Sequence, residues 1–446
     1  MKYVSIILIA VTIGGCAAYR KEPLSLKAAW PKAMSRLEVD PSKMPLPELA
    51  SHKFDPADGL DMTEVAMIAV ADNPDLKLAR DDVGIARAQA FAAGLLPDPQ
   101  ISFSPQFPQN GIPGENVTAF DLGLNYNFSA IVTRSLRTAA AKSDLGKTDL
   151  ALLWQEWQVI GQSRLLFARI RSRHDLLDIL EENRSVAAMR LDRERTALGE
   201  RDVPLNAVAL DENALQTIDR QINETMRLLE KDRYALNALL GLAPNTRLDL
   251  VGKAEIPGLD KKEIDYRLAR LASIRPDLMA LQAGYKAQDF RLRQAILSQF
   301  PAINVGLVRA RDNTGINYDG ISVTLSLPIF NRNRGNIAIA EATRRRMHDE
   351  FQNRLNAAFG TVEQILADRD LLEKQLSRLN KDLATLSLLS SRSASALKSG
   401  DMDLASYSSL KDAELSKKTE RNAVEESIVE ERIALLTLLG PVKESK

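Results

Sequence analysis

Side chains suited to catalysis or metal binding are sparse in this chain and far apart. Its three histidines, His52, His174 and His348, are isolated from one another and from the single cysteine, so no zinc-type ligand cluster and no metal site is expected. The sequence has no phosphate-cradling glycine-rich loop, no Gly-x-Ser-x-Gly elbow and no His-Glu-x-x-His. No catalytic residue is assigned, and the chain reads as a protein that is not an enzyme. What remains is carboxylate chemistry at two short polar turns, 199–203 and 398–403, which hold Asp202, Asp401 and Asp403. Multiplied around a symmetry axis, Asp202 and Asp403 would repel anions and attract cations as a lumen gate. The competing reading is a helix cap, which Asp403 directly before Leu404 also suits. The run Arg344-Arg345-Arg346 points around a helix rather than along one stripe and reads as solvated surface.

The composition excludes other classes. Lys plus Arg equals Asp plus Glu at 59 each, and basic and aromatic residues do not interleave, so nucleic acid is not an expected partner. The 446 residues are 45% hydrophobic but only 5% aromatic, with long tracts of Leu, Ala, Arg, Glu and Gln, which favours extended helix packing. Met1-Lys2, the apolar stretch from Tyr3 to Ile13, and Gly14-Gly15-Cys16 resemble a bacterial lipoprotein signal. That resemblance implies a signal peptide at 1–15, a covalent lipid on Cys16 as the only attached group, no further cofactor, and, with Ala17 following, an outer-membrane destination. The competing reading is a buried cysteine or an ordinary secretory signal. Beyond Ile13 no apolar run reaches the ~20 residues of a transmembrane helix, so a membrane-spanning part must be built from strands.

The elements that must position those turns are written twice. Asn73-Pro74-Asp75-Leu76 recurs as Arg275-Pro276-Asp277-Leu278, Leu96-Pro97 as Phe300-Pro301, and Leu239-Leu240-Gly241 as Leu438-Leu439-Gly440, each about 200 positions on, the mark of a tandem duplication. After a proline-broken arm at 16–60, expected to be extended, the repeats span 61–253 and 254–446. Each opens with a helix that stops before a proline, then offers two strand segments: 100–107 and 119–128, then a strand carrying Ile303, Val305 and Leu307 and a second at 321–329. Phe120, Leu122, Leu124, Tyr126 and Phe128 alternate with Asp121, Gly123, Asn125 and Asn127, and Ile321 to Ile329 alternate likewise, so each hairpin has an apolar and a polar face. Long helices follow at 135–198 and 204–240, then at 334–397 and 404–439. A helix of about 60 residues would reach roughly 90 Å, and leucines such as Leu372, Leu376, Leu379, Leu383 and Leu386 carry coiled-coil spacing.

Four strands cannot close a barrel, and open sheet edges are intolerable in lipid. Three copies would supply about twelve strands, enough for a water-filled interior, and their helices could continue it as a hollow cylinder. The expected fold is therefore mainly α with a β-barrel portion, completed in a homotrimer.

The repeated order, the Leu327-Pro328-Ile329-Phe330-Asn331-Arg332-Asn333-Arg334-Gly335 run and the Leu-Leu-Gly closing each repeat resemble the TolC-type outer-membrane efflux factors. Together with Gly94-Leu95-Leu96-Pro97-Asp98-Pro99, the wording is similar to the branch serving heavy-metal-cation exporters. The resemblance implies a trimeric, twelve-stranded outer-membrane barrel on a periplasmic helical barrel, in contact with outer-membrane lipid. It also implies two protein partners, a periplasmic adaptor and an inner-membrane pump. By it, Leu198, Gly199 and Asp202 in one turn and Leu397, Gly400 and Asp401 in the other form the tips that meet the adaptor. Some members place an acidic ring just after the second turn; here those positions are Ser406 and Ser409. Alternative readings are a type I secretion conduit and a non-conducting, lipid-anchored periplasmic scaffold.

Overall fold

The computed structural model describes residues 19–26, 39–109 and 117–441. The elements run α1 (Pro47–Ala50), α2 (Met62–Asp72), α3 (Pro74–Gly94), β1 (Gln100–Gln106), β2 (Ala119–Asn127), α4 (Ser129–Glu200) and α5 (Leu205–Leu239). The second half runs α6 (Lys261–Ala269), α7 (Leu271–Ile274), α8 (Pro276–Leu297), β3 (Ala302–Arg311), β4 (Asn317–Ser326), α9 (Arg334–Ser399) and α10 (Leu404–Leu439).

The helices α4 and α9 contain 72 and 66 residues without a proline to interrupt them. At 1.5 Å per residue they are roughly 100 Å long. Each serves as a spine for two shorter helices placed end to end. In the half nearer the sheet, α4 packs against α3 and α8; in the distal half it packs against α5 and α10. The second spine, α9, lies against α8 and then α10. The result is one layer with α3 and α5 along one margin and α9 along the other.

The duplicated motifs are the two halves of one junction. Asn73 caps α3 by accepting from the Leu76 N–H at 2.9 Å, and its Nδ2 donates to the Leu239 carbonyl at 2.8 Å, so the N-terminus of α3 is tied to the C-terminus of α5. Gly241 turns the chain away with φ of 66°, and a Cβ there would stand 2.6 Å from the Asp72 carbonyl oxygen. The second junction brings Gly440, with φ of 78°, against Ile274 and Arg275. Arg275 does not cap as Asn73 does; it pairs with Asp277 at 2.7 Å and lies over the Trp154 ring. The first junction is thus tied through Asn73 to the end of α5, while Arg275 anchors the second against Trp154 of α4.

The main core lies where the first junction meets α4. Met67, Ile68, Leu236, Leu240 and Phe167 are fully buried there. A capping box starts α2: Asp61 accepts from Thr63 and Glu64 N–H groups, and Glu64 reaches back to the Asp61 N–H at 2.9 Å. Residues 19–26 are exposed and in no helix or strand, whereas from Val39 onward the segment expected as an extended arm packs on the core. Leu49 is fully buried, Glu48 pairs with Arg164 at 2.8 Å, and Leu60 bridges to Leu250. The prolines fix turns that lay apolar residues on the core, rather than keeping them off it.

A second departure concerns how helices leave the sheet. In the first repeat α4 begins at Ser129, earlier than the expected 135, because nothing separates it from β2 except Phe128. In the second, Pro328 ends the strand pattern and a turn with Arg332 and Asn333 at positive φ precedes α9.

Candidate functional site at the barrel face and helical tips

The four strands form one antiparallel sheet in the order β1-β2-β3-β4, the two hairpins joined through β2 and β3. Register sets which residues share a face. Ile101, Leu124, Leu307 and Ile321 stand in one row across all four strands, flanked by a row of Tyr126, Val305 and Val323. These side chains are open to the surroundings: Ile321 is 75% exposed, Ile101 71% and Leu307 61%. The opposite face carries Gln100, Asn125, Gly306 and Ser322 in one row and Ser102, Gly123, Val308 and Gly320 in the next. That face is crowded and polar; a Cβ on Gly306 would lie 2.2 Å from Asn125 Oδ1 and 2.6 Å from Ser322 Oγ. An apolar face open on the outside and short polar residues on the inside is the pattern of a barrel segment set in lipid around water. One edge of β1 and one edge of β4 have no strand partner among the described residues. No helix among the described residues is long and apolar enough to cross a membrane.

At the far end of the helices the two turns have one geometry built from different residues. The Asp202 N–H donates to the Ala197 carbonyl and the Asp401 N–H to the Ala396 carbonyl, both at 2.9 Å, closing each helix with a left-handed residue. That residue is Gly400 in the second turn but Arg201 in the first, at φ of 85° and 66°. Gly199, expected to form the first turn, lies instead inside the last turn of α4, where Lys398 stands in α9. Arg201→Gly should therefore relieve roughly 1 kcal/mol of backbone strain, seen as slower amide exchange at 198–203; unchanged or faster exchange would contradict it.

Leu198 and Leu397 are half-buried between paired helices, whereas Asp202 and Asp401 are exposed. Asp403 caps α10, accepting from the Ser406 N–H at 2.7 Å and from Ser406 Oγ at 2.8 Å. These bonds hold its carboxyl below the usual aspartate range, so it is ionised at neutral pH. Asp202 follows Arg201 without such a role. The two residues read as a gate therefore differ: one is fixed as a cap, the other stands free to face solvent.

The histidines stay apart. His52 lies 3.2 Å from Asp61, His348 3.2 Å from Asp349, and burial pushes His174 below its ordinary pKa, helped by Arg233 and Arg171. No group of three or more potential metal ligands stands together among the described residues. Cys16 lies outside the described residues. Of the arginine run, Arg344 pairs with Asp289 at 3.0 Å while Arg345 and Arg346 are exposed.

Sequence reasoning missed the polar staples between repeats. Glu414, nearly buried on α10, accepts from Ser387 Oγ of α9 at 2.9 Å and pairs with Lys411 at 3.0 Å and Lys418 at 3.2 Å; both lysines also reach Glu182 of α4. Arg190 of α4 joins Asp211 of α5 and Asp412 of α10, both at 2.8 Å. These charges look like solvated helix faces in a single strand of sequence, because only the packing reveals which faces meet. A groove of about 1600 Å³ runs between α4, α9 and α10 along residues 252–258.

A sheet segment with one exposed apolar side, carried on a layer of helices roughly 100 Å long, is the fold of the TolC-type outer-membrane channels. Comparison with known proteins bears out that resemblance. The chain is 23% identical over 373 residues to the probable outer membrane lipoprotein SilC of Salmonella typhimurium, covering 78% of each chain. It is 28% identical over 152 residues to the cation efflux system protein CusC of Escherichia coli, covering 32% of this chain and 33% of CusC. Among solved structures, CusC matches with a TM-score of 0.67 at 17% identity, covering 94% of this chain and 100% of that one. The outer-membrane channel OprN matches with a TM-score of 0.70 at 14% identity over 96% and 99% of the two chains. The CmeC outer membrane channel of Campylobacter jejuni gives 0.69 at 17% identity, covering 94% of each. No family model matches the chain.

Proposed function

We propose that this protein is the outer-membrane channel subunit of a tripartite efflux system, working as a homotrimer that passes small solutes to the exterior. The carrying observation is the exposed apolar row Ile101, Leu124, Leu307 and Ile321 on a four-stranded sheet with two open edges. In water such a face and such edges invite aggregation. In lipid the face is satisfied and the edges must pair, which three copies achieve with about twelve strands. The polar face then lines the conduit, and the helical layer extends it. The lipoprotein-like start supports a lipid anchor on Cys16 and an outer-membrane location.

The cargo follows the named relatives: CusC is a cation efflux protein, which supports metal cations ahead of other solutes. With no metal-ligand cluster among the described residues, selection and energy are assigned to a pump, reached through an adaptor at the tips. Ion conductance in planar bilayers by a detergent-extracted trimer tests the reading; a non-conducting monomer would favour the periplasmic scaffold instead.

The tips give a separate prediction. Leu397→Asp and Gly400→Trp should each abolish export from cells, measured as intracellular metal accumulation, while leaving trimer yield unchanged. Export at the unaltered rate would remove the tips as adaptor contacts.

A further inference from the structure

The layer has two unlike margins, and the chain itself contains a template for how they meet. Within one copy, repeat 2 docks on repeat 1 by laying α10 against α4. Ionic contacts at three places mark that seam: Arg169 with Glu430 at 2.5 Å, Arg190 with Asp412 at 2.8 Å, and Glu182 with Lys411 at 2.7 Å and Lys418 at 3.6 Å. The next copy must present its repeat 1 to this copy's repeat 2, so the same seam should recur with α9 in the place of α4 and α5 in the place of α10. The matched tips fix the correspondence: Ala197 with Ala396, and Leu205 with Leu404.

Carried through that correspondence, Arg169 becomes Asp368 and Glu430 becomes Lys231. Glu182 becomes Lys381, while Lys411 and Lys418 become Glu212 and Asp219. At these two places every sign is reversed and the pairing stays complementary, while the third pair, Arg190 with Asp412, becomes the uncharged Leu389 and Asn213. Asp368, Lys231 and Lys381 are exposed and make no ion pair among the described residues of one copy. Glu212 and Asp219 are held by Arg195 and Arg184 on their own α4, at 2.5 Å and 2.6 Å, and have carboxylate oxygens to spare.

We infer that the margins of neighbouring copies meet through Lys231 against Asp368 and through Glu212 and Asp219 against Lys381, so that a second copy of this chain covers the α9 face. This rests on the trimer reading above. The reversal also sets the order of repeats around the ring. Docking α10 on α9 of another copy would place Glu430 against Asp368 and both lysines against Lys381. Docking α5 on a foreign α4 would set Lys231 against Arg169 and Glu212 against Glu182. Like charges oppose both wrong pairings, so repeats must alternate, and a ring of alternating repeats can close only with whole copies.

The test is Lys231→Cys with Asp368→Cys, treated with a short bis-maleimide on the detergent-extracted full chain, with native mass spectrometry of the untreated protein alongside. The expected result is a cross-linked trimer ladder from the double variant and none from either single variant. Charge exchange gives the second arm: Lys231→Glu alone should cut trimer yield severalfold, and adding Asp368→Lys should restore it. A trimer by mass that gives neither the ladder nor the restoration overturns the pairing while sparing the trimer. A wild-type monomer by mass overturns both.

Discussion

Gly241→Val is expected to break the first helix junction and cost roughly 3 kcal/mol. Two causes add. A β-branched residue resists the left-handed backbone that position 241 adopts. The new Cβ would also stand 2.6 Å from the Asp72 carbonyl oxygen, which is backbone at the end of α2 and cannot swing aside. Relief requires α3 to move off α5, which breaks the Asn73 bond to the Leu239 carbonyl. Loss of amide protection at 72–77 and 236–242 would report the opening. Gly252→Val is the control, because Gly252 has φ of 79° with nothing within 4 Å of its added Cβ. If both variants lose the same stability, the close approach at Gly241 contributes nothing and the junction is looser than its geometry indicates.

The second large effect is at Glu414. Burial alone would raise its carboxyl pKa, but hydrogen bonds from Ser390, Lys411, Ser387 and Lys418 outweigh it and hold the group at about 2. Glu414→Ala leaves Lys411 and Lys418 sharing Glu182 alone, and removing one partner from a nearly buried ionic cluster costs about 3 kcal/mol. The cluster ties α4 to α9 and α10, so the loss should appear as separation of the two distal hairpins, read by faster exchange at 180–187 and 383–390. Because the folded pKa is depressed, this stabilisation is fully present above the ordinary glutamate value of about 4.3. It fades as pH falls from there toward 2. The wild type should thus hold a level unfolding midpoint from neutral pH to about 4.5 and decline below, and Glu414→Ala should flatten the decline. A variant that keeps the wild-type acid profile would show that other carboxylates govern it.

Much of the fold was legible because its signals are local. Proline cannot continue a helix but suits the first position of a new one, so Pro74 and Pro276, which open α3 and α8, and Pro301, just before β3, marked boundaries directly. Period-two alternation in Phe120 to Phe128 named the face of β2 that the register later showed to be apolar and exposed. The arm was misread because a proline-rich stretch shows where the backbone bends and not what the bends place on the core; Leu49 and Leu60 could be called buried only once α4 was beside them. Gly199 misled for a related reason. Glycine is the usual left-handed terminator, yet the helix length placed Arg201 there.

The sequence alone determined that the chain is a duplicated unit of strands and long helices, that one face of each hairpin is apolar, and that a single copy holds too few strands to close. These follow from residue types acting on their own backbone. Only the tertiary structure decided that Pro-Asp-Leu and Leu-Leu-Gly are two sides of one contact, that Asp403 is a cap while Asp202 stands free, and that charges on α4 and α10 form staples rather than solvated stripes. Those outcomes depend on which faces meet across more than a hundred residues of chain, as at Asn73 and Leu239, separated by 166 positions. Side-chain chemistry specifies what a contact needs, and the path of the long helices settles which residue supplies it.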